Sequence, residues 1–310
     1  MSELTSVWHY TTADGLHSIV TKSVLWASSH RFMNDSEEPK YATNVLRAAA
    51  AEVRLGLHSE QAERFDKLMR FAERSNLEAF LLCGAHQPDL LTVWRGYGSA
   101  VPYAIELDAQ IELLPVAQSD IGEHPSPPQG WGRHVVDEDE DGRPIYGEDP
   151  DAVRVEVQAW APVQYDPSTA RSRVERIAKL AARRPDALAD ALLPWTNLAG
   201  IDLLQLKHPA FEDEREARMV FEVHPRWKFV KHRTTRFGLT PYIEVSAPER
   251  GNQHAINDRF LTKPASRLPI RAVHIGPSPL GDESVDSLAE FLEFHGYPNV
   301  PIEKSSTPFR

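Results

Sequence analysis

Cysteine is nearly missing from this sequence: Cys83 is the one example in 310 residues. A lone thiol excludes an internal disulfide and a thiolate zinc site. Its place in the apolar run AFLLCGA, with no neighbouring base, argues against a nucleophilic role. Positive charge is also scarce, with 34 Lys and Arg against 45 Asp and Glu and a formal net charge of -11. That balance disfavours sequence-independent binding of duplex nucleic acid, which relies on many Lys and Arg contacts to phosphates. Much of the acid sits in DEDEDGRPIYGEDPD, residues 137 to 151, so the remainder is nearer balance and a local basic patch stays open. No apolar run approaches the roughly 18 residues that span a membrane, and MSELTSVWHY lacks the basic and apolar regions of a secretory signal. A cytoplasmic protein with no membrane partner is the expectation. Established signatures are missing as well: there is no GxxxxGK(S/T), no GxGxxG after a strand, no HExxH and no GxSxG. The 13 histidines have no ligand-like spacing, so no metal site is predicted.

What is present is an ordinary globular composition, 41% hydrophobic and 25% charged, which supports a sizeable core. VWHYTT reads as a strand. After it, Leu16, Ile19 and Val20 have the i, i+3, i+4 spacing of a helix face, with Asp14 as the expected N-cap. LWAS reads as a second strand, followed by the loop HRFMNDSEE. Residues 39 to 74 are rich in Ala, Leu, Glu and Arg, and Phe65, Leu68, Met69 and Phe71 are spaced for helices. AFLLCGA and VPYAIELD read as strands. From 116 to 151 the chain carries PSPPQGWG and the acidic run with no sustained periodicity, so a loop or partly disordered insertion is expected. VRVEVQAWAPVQYD resumes strand character, and residues 168 to 206 read as helices with a break at Arg183, Arg184 and Pro185. EREARMVF, PYIEVSA and LPIRAVHIGPSP are further strands, and DESVDSLAEFLEFHG is a C-terminal helix. This order predicts an α+β fold: one domain over residues 1–310, with a mixed, mostly antiparallel sheet flanked by helices and carrying helical and acidic-loop insertions.

Four stretches concentrate the residues that carry chemistry. On WHYTT, His9 and Thr11 share one strand face and Trp8 and Tyr10 the other. HRFMNDSEE sets Asn34, Asp35, Glu37 and Glu38 after Phe32. In TVWRGYGSAVPYAIELD, Gly96 and Gly98 allow close backbone approach to a ligand among Trp94, Arg95, Tyr97 and Tyr103. In EREARMVF, Glu214, Glu216 and Arg218 recur at period 2 and aim at one face, as a site wall or a solvated edge. Each has a plainer reading. His9 serves equally as a hydrogen-bonded core residue, Asn34 and Asp35 as caps of the next helix, Trp94 and Tyr97 as core anchors, and Arg218 as the ion-pair partner of Glu216 or Glu214.

Taken together, the four stretches resemble the bacterial family known as domain of unknown function 2971. The matching positions are His9, Tyr10, Thr11, then Leu25 to Ser28, then Asn34, Asp35 and Glu38. Further along come AFLLCGA, Trp94 to Tyr97, AIELD, Lys207, Glu214, Glu216, Arg218 and AVHIG. Ser36 stands where that family usually has Pro, and the acidic insertion is peculiar to this chain. The layout more distantly resembles an ADP-ribosyltransferase fold. That resemblance implies NAD as co-substrate and an ADP-ribosyltransferase or NAD glycohydrolase, of the kind a bacterial defence or toxin effector uses, with an unknown acceptor. It implies His9 on a ribose hydroxyl, Tyr97 or Tyr103 against nicotinamide, Glu216 as the strand carboxylate with Glu214 competing, and Arg218 or Arg95 on the pyrophosphate. Tyr10, Thr11, Asn34, Asp35 and Trp94 would complete the NAD contacts. The alternative is a non-catalytic nucleotide- or partner-binding domain using the same constellation.

Overall fold

The computed structural model describes residues 4–33, 38–74, 78–96, 101–117, 133–138, 144–148, 155–182, 204–223, 229–235, 238–249 and 260–307. The chain opens as β1 (Ser6–Thr12), α1 (Ala13–Lys22) and β2 (Leu25–Ser29), as the spacing predicts. Leu16, Ile19 and Val20 are the buried face of α1, and each contributes about 1.5–3 kcal/mol relative to exposure. The N-cap is Thr12 and not Asp14: Thr12 is extended and its hydroxyl accepts from the Gly15 amide at 3.2 Å, while Asp14 is already in the first turn. There its charge favours the helix dipole. Ser23, at φ 53°, closes the helix in the left-handed region.

The chain divides into two compact units, Met1–Ser29 with Glu78–Ala161 and Glu216–Arg310, and His30–Leu77 with Pro162–Arg215. The first unit holds an 11-stranded sheet. Its strands are β1, β2, β3 (Glu78–Ala85), β4 (Pro102–Asp108), β5 (Leu114–Pro115), β8 (Val155–Pro162), β9 (Glu216–Val223), β10 (Lys231–Thr235), β11 (Gly238–Ser246), β12 (Ile270–Ile275) and β13 (Ile302–Lys304). The main path runs β10-β11-β2-β3-β1-β4-β12-β13, with β9 also on β3, β8 on β9 and β5 on β11. The β12–β13 pair is parallel, whereas β1–β3, β1–β4, β2–β3, β3–β9, β2–β11, β10–β11 and β4–β12 are antiparallel. The α+β class with a mixed, mostly antiparallel sheet is therefore as expected. Val7, Ala27, Leu82, Ile105, Met219, Phe221, Ile243 and Val273 line one face and pack with α1 and with α6 (Glu283–Phe294) into the main core.

The second unit packs three helices, α2 (Glu38–Arg54), α3 (Ser59–Arg74) and α5 (Ser168–Ala181), around Leu46, Phe65, Leu68, Met69, Val174 and Ala181. These are the helices expected over 39 to 74 and after 168; the break at Arg183, Arg184 and Pro185 lies outside the described residues.

The expected insertion over 116 to 151 is partly different. Val116 and Ala117 are buried in the sheet unit, where the Val116 amide donates to the Glu244 carbonyl at 2.8 Å. Two strands, β6 (Arg133–Glu138) and β7 (Pro144–Glu148), pair antiparallel with a register shift between Val135 and Asp137. The sequence there includes Val135, Val136, Ile145 and Tyr146, β-forming residue types that the surrounding acid obscured.

Candidate functional site

β3 has three strand partners. Along one edge it pairs with β9 over its whole length, from Glu78 opposite Val223 to Ala85 opposite Glu216. Its other edge is shared: β2 holds Leu81 and Phe80, while β1 holds Ala85. β1 and β2 therefore part company between Leu81 and Ala85, leaving an opening in the strand pairing beside Cys83.

His9 occupies that opening. Its Nδ1–H donates to the Cys83 carbonyl at 2.9 Å, which fixes the tautomer and leaves Nε2 as an acceptor. Burial lowers the His9 pKa, the Cys83 hydrogen bond opposes that shift, and the Arg233 charge reinforces it. The ring is a neutral, oriented base.

Across β3, Cys83 is opposite Arg218. Arg218 makes a bidentate pair with Glu216, Nε to Oε1 at 2.7 Å and Nη2 to Oε2 at 3.0 Å. Arg218 is 2% exposed and Glu216 7%. The charged row is thus a buried feature of an interior strand and not a solvated edge. Glu216 lies two strand spacings from its counterpart Trp8 on β1, about 10 Å between backbones.

Glu214 is not part of that row. It ends a short 3-10 helix, Pro209–Glu214, and Arg215 follows at φ 46°, so period 2 starts only at Glu216. The Glu214 carboxylate accepts from Lys207 Nζ at 2.7 Å. The Glu-x-Glu spacing suggested one continuous strand; the left-handed residue between the two acids breaks it.

The aromatic residues divide as the alternation predicts. Trp8 and Tyr10 pack with Ala85, Ala104, Ala272 and Trp94 in one cluster. Tyr10 meets Trp94 edge-on at 4.5 Å, and its hydroxyl accepts from the Leu90 amide. Burial first, then the nearby Asp89 charge, pushes its pKa up to about 12 against the Leu90 bond. Trp94 is buried and donates its Nε1–H to Asp89 at 2.9 Å, the geometry of a core anchor. Arg95 is exposed at the end of α4 (Leu91–Arg95). The Thr11 hydroxyl fills the space over Gly15, where a Cβ would come within 1.9 Å of it. Tyr103, opposite Thr11 on β4, is half-buried and burial raises its pKa. Asn34, Asp35, Glu37 and Tyr97 lie outside the described residues, and so does the side chain of Glu38.

Sequence reasoning missed Arg233 and Ser28. Arg233 Nη2–H donates to Ser28 Oγ at 2.8 Å, and its guanidinium stands 5.5 Å from the Trp26 ring centre. Burial lowers the Arg233 pKa, and Tyr242 partly opposes this. The segment KHRTT lacks apolar alternation and did not read as a strand. Its usable signals were the Thr pair and Gly238, which takes φ 103° where β11 begins.

Among the described residues there is no cluster of His, Cys, Asp and Glu suited to holding a metal ion, and no helix long and apolar enough to cross a membrane. No family model, no curated protein and no solved structure matches this chain.

Proposed function

We propose that this protein is an NAD-consuming enzyme of the ADP-ribosyltransferase type, with domain of unknown function 2971 as its family resemblance. The observation that carries the reading is the opening between β1 and β2, which holds a neutral, oriented His9 across β3 from the strand of the buried Glu216–Arg218 pair. In this reading His9 Nε2 accepts from a ribose hydroxyl. The bond from the ribose anomeric carbon to nicotinamide breaks, nicotinamide leaves with the bonding electrons, and positive charge develops on the ribose. The Glu216 carboxylate stabilises that oxocarbenium-like state, and an acceptor nucleophile or water closes the reaction. Arg218 positions Glu216. Tyr103 remains a candidate wall for the nicotinamide ring, and a bacterial defence or toxin role is the setting the resemblance suggests.

A second reading has its own support. Both Glu216 oxygens are held by Arg218, an arrangement that suits a binding domain without turnover as well as a catalytic one.

The test is nicotinamide release from NAD by wild type, Glu216→Gln and Glu214→Gln, with NAD-induced thermal shifts as the control for folding and binding. Glu216→Gln should lose about 10²-fold or more in rate while still binding NAD, and Glu214→Gln should stay within a few-fold of wild type. Binding without release, with candidate acceptors from a lysate supplied, selects the binding-domain reading. Neither binding nor release abandons both.

A further inference from the structure

Two cations on β10 face the same side of the sheet and are treated differently. Lys231 pairs with Glu244 on β11 at 3.1 Å. Arg233, two residues on, is half-buried, and its Nε is a buried donor with no hydrogen-bond acceptor. Among the described residues, no carboxylate pairs with it. The fold thus neutralises one cation of the strand and leaves the other charged against β2, within electrostatic reach of His9.

We propose that Arg233 and the Ser28 hydroxyl form a binding subsite for a phosphate oxyanion, the diphosphate of a nucleotide. A guanidinium is always charged and presents a planar fork that matches phosphate oxygens. Here the fork is already aimed. Arg233 extends from β10 across β11 to β2, where the Ser28 contact and the Trp26 ring hold it, and Trp26 is itself packed on Tyr242 at 4.6 Å. Ser28 Oγ accepts from Arg233, so its own proton points elsewhere and is available to a second acceptor. Burying a cation and an unmatched N–H is costly, and an oxyanion would satisfy both at once. Burial lowers the pKa of both Arg233 and His9, and the Arg233 charge adds a smaller lowering at His9.

The inference rests on the NAD reading only for what the phosphate is attached to. It is tested by calorimetric titration and thermal melting of wild type, Arg233→Met, Arg233→Lys and Glu216→Gln with inorganic pyrophosphate, ADP and NAD. Wild type and Glu216→Gln should bind pyrophosphate and melt higher with it. Arg233→Met should lose about tenfold or more in affinity, and its ligand-free melting temperature should hold or rise because an uncompensated cation has gone. Arg233→Lys should fall between them, keeping the charge but not the fork. Pyrophosphate binding that is equal in wild type and Arg233→Met overturns the subsite, as does absence of pyrophosphate, ADP and NAD binding to wild type at millimolar concentration. A melting temperature that falls in Arg233→Met with binding unchanged also overturns it and assigns Arg233 a packing role. The two ideas can fail separately. Binding of pyrophosphate and ADP without NAD turnover keeps the subsite and sinks the enzyme; NAD turnover with unchanged KM in Arg233→Met does the reverse.

Discussion

Removing Arg218 alone from the Glu216–Arg218 pair should cost more than replacing both members. Both side chains are buried, at 7% and 2% exposure, and share two hydrogen bonds of 2.7 and 3.0 Å. Arg218→Met removes the bidentate partner of a buried carboxylate, a loss of about 3–5 kcal/mol. At about 2 °C per kcal/mol for a chain of this size, the melting temperature should drop by roughly 6–10 °C. Glu216→Gln keeps a carbonyl oxygen for the guanidinium and should lose about 1–3 kcal/mol. The double change Glu216→Leu with Arg218→Met removes both charges and fills the space with apolar atoms, so it should be less destabilising than Arg218→Met alone. With Glu216→Leu made singly as well, urea unfolding of wild type, Glu216→Leu, Arg218→Met and the double variant closes a double-mutant cycle. A loss under about 1 kcal/mol for Arg218→Met, or simple additivity in the cycle, would refute the argument that a desolvated pair is what holds this part of β9.

Two further outcomes follow from the same strands. His9 has a folded-state pKa below its ordinary value, so below about pH 6.5 the unfolded chain takes up a proton that the folded chain resists. Stability is fully present above that pH and falls as pH drops toward the folded pKa, by at most about 1.4 kcal/mol per pH unit for one group. His9→Gln should flatten the melting temperature against pH between about 7 and 5, and parallel profiles would show that His9 does not titrate this way. At Gly84 an added Cβ would come within 2.4 Å of Val7 Cγ1 and 2.9 Å of the Trp8 carbonyl oxygen. Gly84→Ala should therefore destabilise by about 1–3 kcal/mol, and an unchanged melting temperature would contradict the close approach of β1 to β3.

Local periodicity carried much of the fold and a fixed part of the candidate site. The spacing of Leu16, Ile19 and Val20 marked α1, and the alternation in VWHYTT sent Trp8 and Tyr10 into one cluster and Val7 into the other. Such facts are legible because a helix or strand repeats within a window of a few residues, and burial follows that repeat. The same window failed where backbone conformation changed between neighbours: Arg215 separates Glu214 from Glu216, although their spacing matches a strand. It failed again on β10, whose alternating residues are polar on both sides. The features that define the opening required the tertiary structure. β3 receives β1 and β2 on one edge, His9 reaches Cys83 across 74 residues, and Arg233 reaches Ser28 across 205. Sequence determines which face each of these side chains can take. Which strands meet, and so which charge is left unmatched beside which base, is set by non-local backbone hydrogen bonds that no local pattern encodes.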